Sequence, residues 1–247
     1  MIRNRKAYIC IFEYPDDLDT ERLGHFLSPA RREKLTLITH EGAKKQSTAA
    51  ELAYRAARMM AWKDVQNGKE NVFIEDPAEW TNADYSYGAK GKPELPFGFM
   101  SITHTDGLAA AAFSFAPVGI DAEAYRTVSE NLAKRVLSIN EYGKYLASDD
   151  RSLFLLHYWT VKESFLKLTG EGIFGGMNEV TVDMRTDSVF REKDNKSYRF
   201  SQLEFLNGTD ANKSRTVVTA CCPAGIEPVF MTFSDTVRLL IYINAIR

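Results

Sequence analysis

Cysteine is scarce in this chain, three in 247 residues, and the placing of those three removes two classes of protein. Cys221 and Cys222 are adjacent and Cys10 stands alone in an apolar run, so the disulfide framework of a small secreted domain is not available. No CxxC or Cys/His spacing accompanies them, which argues against a thiolate metal site. Their expected place is the core, as small hydrophobes. Long apolar runs are also missing: nothing approaches the roughly 18 residues that a membrane-spanning helix needs. Met1-Ile2-Arg3-Asn4-Arg5-Lys6 leads into an apolar stretch unlike a signal peptide, so a cytoplasmic protein without membrane contact is expected. A net charge of -2 gives no basic field for nucleic acid, and any phosphate recognition has to be local. Neither a Walker A run nor a Rossmann GxGxxG is present.

What the chain does hold, with 45% hydrophobic residues, is the material for a substantial core. Residues 7–14 have the β-branched and aromatic content of a strand, ended by Pro15-Asp16-Asp17. Ser28 as N-cap and Pro29 at the first helical position start a helix over 30–38, and the alanine-rich run 41–62 predicts a long one. Glycines and prolines mark a loop over 88–98. Strands at 99–105 and 108–115 flank an Asp106-Gly107 turn. Pro117 interrupts, a strand follows over 118–124, and short helices are expected at 129–137 and 141–147. Asp149 or Asp150 caps a longer helix through Leu168, closed by Gly170. The end reads as strands at 180–184, 198–205, 216–222, 228–233 and 237–243. Grouped strands with helices nearby argue for an α+β fold of two tightly associated subdomains, 1–117 and 118–247.

Two segments concentrate the chemistry: Gly119-Ile120-Asp121-Ala122-Glu123, and the run from Trp159 to Gly172. The two-residue period of a strand puts Asp121 and Glu123 on one face, while Glu163 and Lys167, one helical turn apart, share another. Carboxylates on apolar elements are costly to desolvate unless a cation compensates them, and Mg2+ with a phosphate-bearing substrate suits that need. Each motif alone has an ordinary reading. Asp-x-Glu is more often a solvated edge, and Glu four residues before Lys a surface pair worth roughly 0.3–0.5 kcal/mol.

Taken in order, Ser28-Pro29-x-Arg31-Arg32-Glu33-Lys34, Gly91-Lys92-Pro93, Ile102-Thr103-His104-Thr105, Gly119-Ile120-Asp121-x-Glu123 and Trp159-x-x-Lys162-Glu163-Ser164-x-x-Lys167-x-x-Gly170-x-Gly172 resemble the 4'-phosphopantetheinyl transferases of the long, two-half, surfactin-synthetase-activating type. The resemblance implies a pseudo-twofold pair of similar α+β subdomains. It implies transfer of the phosphopantetheine arm of coenzyme A to a serine of an apo acyl or peptidyl carrier protein, with Mg2+ as cofactor and a monomer as the working unit. Asp121, Glu123 and Glu163 would hold Mg2+, with Glu163 also general base, directly or through water, and Lys167 on the pyrophosphate. Thr103 and His104 would meet a coenzyme A phosphate, Arg31 and Lys34 the 3'-phosphate, and Lys92 and Pro93 the adenine edge.

Two positions depart from the family pattern. Threonines flank His104 in place of serines, and Gln46 stands where an arginine is common, leaving Lys44 or Lys45 to substitute or coenzyme A to bind less tightly. Trp159 is expected to anchor the helix of Glu163. Lys162 has two readings, a salt bridge in the other subdomain or a substrate contact. Residues 125–136 either lie near the docked carrier or pack on the core. Two other functions use the same residues: a Mg2+-dependent phosphohydrolase, and a non-catalytic coenzyme A-binding module.

Overall fold

The computed structural model describes residues 6–68, 85–88, 93–172, 176–194, 196–207 and 214–244. In chain order the elements are β1 (Lys6–Glu13), α1 (Pro29–Thr36), α2 (Glu41–Gln66), the short pair β2 (Ser86–Tyr87) and β3 (Pro93–Glu94), β4 (Phe99–Thr105), β5 (Leu108–Ser114) and β6 (Gly119–Ala124). Then come α3 (Glu130–Val136), α4 (Ile139–Leu146), α5 (Arg151–Thr169), β7 (Thr181–Asp183), β8 (Ser188–Phe190), β9 (Ser197–Asn207), β10 (Ser214–Pro223), β11 (Glu227–Phe233) and α6 (Thr236–Ile243). The α+β class is therefore as expected.

The strands form two main sheets, ordered β11-β1-β5-β4 and β6-β10-β9-β8-β7. Strand β1 explains why its run is apolar throughout. Tyr8, Cys10 and Phe12 pack toward α2, with Ala109, Ala111 and Phe113 of β5 beside them. Ala7, Ile9 and Ile11 face the opposite way, against Ile120 and Ala122 of β6 and Val218 and Ala220 of β10. A sheet covered on both faces has no polar side to alternate with. The molecule is thus layered as α2, first sheet, second sheet, α5, with a shared core where the sheets meet face to face. All three cysteines are buried and unpaired, and burial raises the pKa of each thiol. Among the described residues no helix is long and apolar enough to cross a membrane.

The C-terminus corrects two expectations. A line drawn at 117/118 misassigns it, because β11 adds parallel to β1 in the first sheet and α6 buries Leu239 in the α2 core. Residues 237–243, expected as a strand, are helical. Their β-branched content misleads, whereas Asp235 accepting a hydrogen bond from Arg238 N–H supplies the N-cap, and the apolar residues against the core, Leu239, Leu240, Tyr242 and Ile243, recur at helical spacing. Strand β8, three residues long, carried too short a pattern to be expected at all.

The two sheets are joined where their edge strands β4 and β6 run side by side. Ser101 Oγ accepts from Ile120 N–H and Thr103 Oγ1 from Ala122 N–H, both at 3.1 Å. Two hydroxyls therefore take the place of ladder carbonyls and stitch the first sheet to the second. On the other side of β6, helix α5 comes to backbone contact at Gly119: a Cβ placed there would sit 1.8 Å from the Ser164 carbonyl oxygen. Only glycine allows this approach, which brings the Glu163 face of α5 over Asp121. Gly170, at φ 77°, ends the same helix in the left-handed conformation that closes its last turn.

Candidate active site

A cleft of about 680 Å³ opens beside the β4–β6 seam, and both halves of the chain line it. Arg31 and Lys34 come from α1, Pro93 from β3, Thr103 and His104 from β4, Asp121 and Glu123 from β6, and Glu163 and Lys167 from α5. The structure thus brings together nine of the ten residues singled out in the sequence. The tenth, Lys92, lies outside the described residues.

On the second-half wall, Lys167 Nζ donates to Asp121 Oδ1 at 2.7 Å, and Thr103 Oγ1 reaches the same oxygen at 3.4 Å. The other carboxylate oxygen, Asp121 Oδ2, is buried with no hydrogen-bond partner, and so is Glu163 Oε1. Burial, then the negative charge of Asp121, pushes the Glu163 carboxyl up to about 7, with Lys167 opposing. Glu123 is raised as well, by burial first and Asp121 second. Buried oxygens without partners are costly and uncommon. Among the described residues, however, no three of His, Cys, Asp or Glu converge closely enough to form a ready ion-holding cluster.

On the first-half wall, Arg31 is buried, contrary to the solvated helix face that its position on α1 allowed. His104 is exposed at the wall of the cleft. Surrounding protein, then Lys167, Arg31 and Lys34, lower its pKa, so the free protein presents a neutral imidazole there. The Gln46 amide donates to Asp106 Oδ1 at 2.9 Å. Lys44 pairs with Glu41 and Lys45 donates to the Asp16 carbonyl. None of the three lines the cleft.

Trp159 packs partly against the second core, as an anchor would, but it also lines the cleft, with its indole N–H toward Glu123. Lys162 makes neither contact left open for it: it is fully buried within its own half, donating to Glu141 Oε2 at 2.5 Å and to the Val136 and Met177 carbonyls. Of residues 125–136, Ala133 and Val136 enter the second core, while Tyr125 is exposed. Sequence reasoning missed Ser101, a β4–β6 tie, and the pair Glu51 and Tyr85 behind Arg31. A glutamate alone among the alanines of α2 was the available signal for Glu51.

Residues 117–222 match the model of the 4'-phosphopantetheinyl transferase superfamily. The chain is 28% identical over 171 residues to the 4'-phosphopantetheinyl transferase Sfp of Bacillus subtilis, a span covering 68% of this chain and 71% of that protein. It is 35% identical over 100 residues to the 4'-phosphopantetheinyl transferase HetI of a Nostoc species, covering 36% and 42%. Among solved structures, it aligns with the holo-[acyl-carrier-protein] synthase of Thermotoga maritima at 21% identity and a TM-score of 0.29, over 44% of this chain and 64% of that one.

Proposed function

The chain belongs to the 4'-phosphopantetheinyl transferase superfamily, and we propose that its cleft moves the 4'-phosphopantetheine arm of coenzyme A onto a serine of an apo acyl or peptidyl carrier protein. The serine oxygen bonds to the phosphorus that bears pantetheine. The pyrophosphate P–O bond breaks, and its electron pair leaves with adenosine 3',5'-bisphosphate. The observation that carries this reading is the chemistry of the two walls: basic Arg31 and Lys34 on one, carboxylates with Lys167 on the other.

Glu163 takes the hydroxyl proton. Its support is a proton affinity near neutrality, where a general base is most effective. Lys167 meets the pyrophosphate with a mobile point charge, Arg31 and Lys34 hold the 3'-phosphate, and Thr103 and His104 meet a second phosphate as N–H and O–H donors. Pro93 borders the adenine. The donor set fits Mg2+, since the partnerless oxygens of Asp121 and Glu163 are hard anionic ligands on the cleft that Glu123 also lines. These three residues would hold the ion. When bound, it supplies charge neutralisation at the pyrophosphate. Both walls come from one chain, so a monomer suffices, and three reduced cysteines suit the cytoplasm.

The direct test is incubation with coenzyme A, Mg2+ and a panel of apo carriers, read by mass spectrometry. A phosphopantetheine adduct on a carrier serine is expected. Cleavage of coenzyme A without a carrier would instead favour a phosphohydrolase, and binding without either outcome a non-catalytic module.

The metal reading has its own check. Without metal, folded Glu163 keeps its proton up to about 7, whereas the unfolded chain loses it near 4.5. The folded state binds more protons in that window, so this group's contribution to stability falls as pH rises through it. A cation held by Glu163 would compete with that proton. The ion is therefore expected to raise Tm more at about pH 8 than at about pH 6. Scanning fluorimetry at both values decides, and equal increments would remove Glu163 from the ligands.

A further inference from the structure

Behind Arg31 on the first-half wall lies a buried polar cluster whose other charged member, Glu51, has no part in the chemistry above. Glu51 of α2 is 1% exposed. Its Oε2 accepts from the Tyr85 hydroxyl at 2.6 Å, and the same hydroxyl oxygen accepts from Arg31 Nε at 2.9 Å. Arg31 Nε also stands 3.5 Å from Glu51 Oε2. The remaining oxygen, Oε1, accepts from Ser28 N–H at 3.3 Å, and Arg55 stands 3.8 Å from it. Arg31 Nη1 donates to Ser47 Oγ at 2.9 Å, and Ser47 itself lines the cleft.

The order of these contacts gives each residue a different part. Arg31 and Ser47 are the cluster's members on the cleft; neither Glu51 nor Tyr85 lines it. A buried guanidinium needs a counter-charge, and this one has it through a phenol that both accepts from the arginine and donates to the carboxylate. Such a relay fixes the plane of the guanidinium as well as its charge, because Nε is held from one side and Nη1 from another. Ser28, which caps α1, is tied to the same carboxylate, so Glu51 also sets where α1 and its Lys34 sit against α2. Gln46, Lys44 and Lys45 are engaged elsewhere. Among the described residues of this wall, Arg31 and Lys34 carry the cationic charge, and Glu51 stands behind both.

We propose that Glu51, acting through Tyr85, is a positioning residue for donor selectivity: it holds Arg31 so that the cleft discriminates coenzyme A from the donor lacking the 3'-phosphate. This rests on the reading that the cleft takes coenzyme A. Glu51 itself touches no substrate.

The test measures kcat and KM of the wild type and of Glu51→Gln, Tyr85→Phe and Glu51→Asp, with coenzyme A and with 3'-dephospho-coenzyme A, beside calorimetric Kd values for both. Glu51→Gln is expected to raise KM and Kd for coenzyme A by about tenfold. For the dephospho donor both should change less than twofold, as should kcat at saturating coenzyme A. Tyr85→Phe should move selectivity the same way by a smaller factor, and Glu51→Asp should restore part of it. Equal losses on both donors, or a fall in kcat alone, would show a merely structural residue and overturn the proposal. Selectivity unchanged in Glu51→Gln and Tyr85→Phe would do the same. Wild-type protein that binds coenzyme A without transfer to any carrier would count against the transferase reading, while the Kd ratios would still decide the role of Glu51.

Discussion

Glu163→Gln is expected to lower kcat for transfer to an apo carrier by about three orders of magnitude while leaving coenzyme A binding within a few-fold of wild type. The substitution keeps the shape of the side chain and removes its capacity to take a proton. The loss corresponds to about 4 kcal/mol of transition-state stabilisation, within the range of a positioned general base combined with a lost anionic site. Binding should survive because the phosphate contacts proposed for Arg31 and Lys34 on α1 and for Thr103 and His104 on β4 belong to the opposite wall. Rates from the time course of carrier mass shift, beside calorimetry with coenzyme A, provide the check. A variant turning over within tenfold of wild type would remove Glu163 from the mechanism.

The residues behind that prediction were legible in the sequence because their signals are local. Asp121 and Glu123 alternate on a strand whose other side chains, Ile120 and Ala122, enter the shared core. Glu163 and Lys167 sit one turn apart on a helix whose cap residues, Asp150 and Gly170, could be read directly. What could not be read was every feature set by partners distant in the chain. Gln46 turns to Asp106, sixty residues away. Arg31 is buried because Tyr85, Ser47 and Glu51 surround it, and no local pattern on α1 announces that. The parallel return of β11 to β1 joins segments more than two hundred residues apart, and the aliphatic run of α6 suited strand and helix equally until its packing partner α2 was known. Gly119 lies between these cases. The motif displayed it, but its reason is the Ser164 backbone pressed against it.

Lys162→Met is expected to cost about 3–5 kcal/mol of stability. Lys162 and Glu141 are both buried, and among the described residues the carboxylate has no other cation at hydrogen-bond distance. Desolvation lowers the lysine pKa, and Glu141 acts in the opposite direction to keep the ammonium charged. Removing the lysine leaves a buried carboxylate and frees the Val136 and Met177 carbonyls that it bridges. Glu141 cannot simply be discarded with it. Its oxygens also accept from Ser138 N–H, closing the capping box of α4, and from Val182 N–H of β7. The companion substitution should therefore keep an acceptor while removing the charge. Lys162→Met with Glu141→Gln is expected to recover part of the loss, because the amide carries no buried charge and its one oxygen still accepts from one of the two backbone donors, which bond to different carboxylate oxygens. Urea unfolding of both variants, with the slope m held to the wild-type value, measures the difference. A single variant losing under about 1 kcal/mol would show that water or a rearranged side chain compensates Glu141. A double variant no more stable than the single one would show that the geometry of the lysine bridge from α5 to α3, α4 and the Met177 carbonyl, more than its charge, holds the second half together.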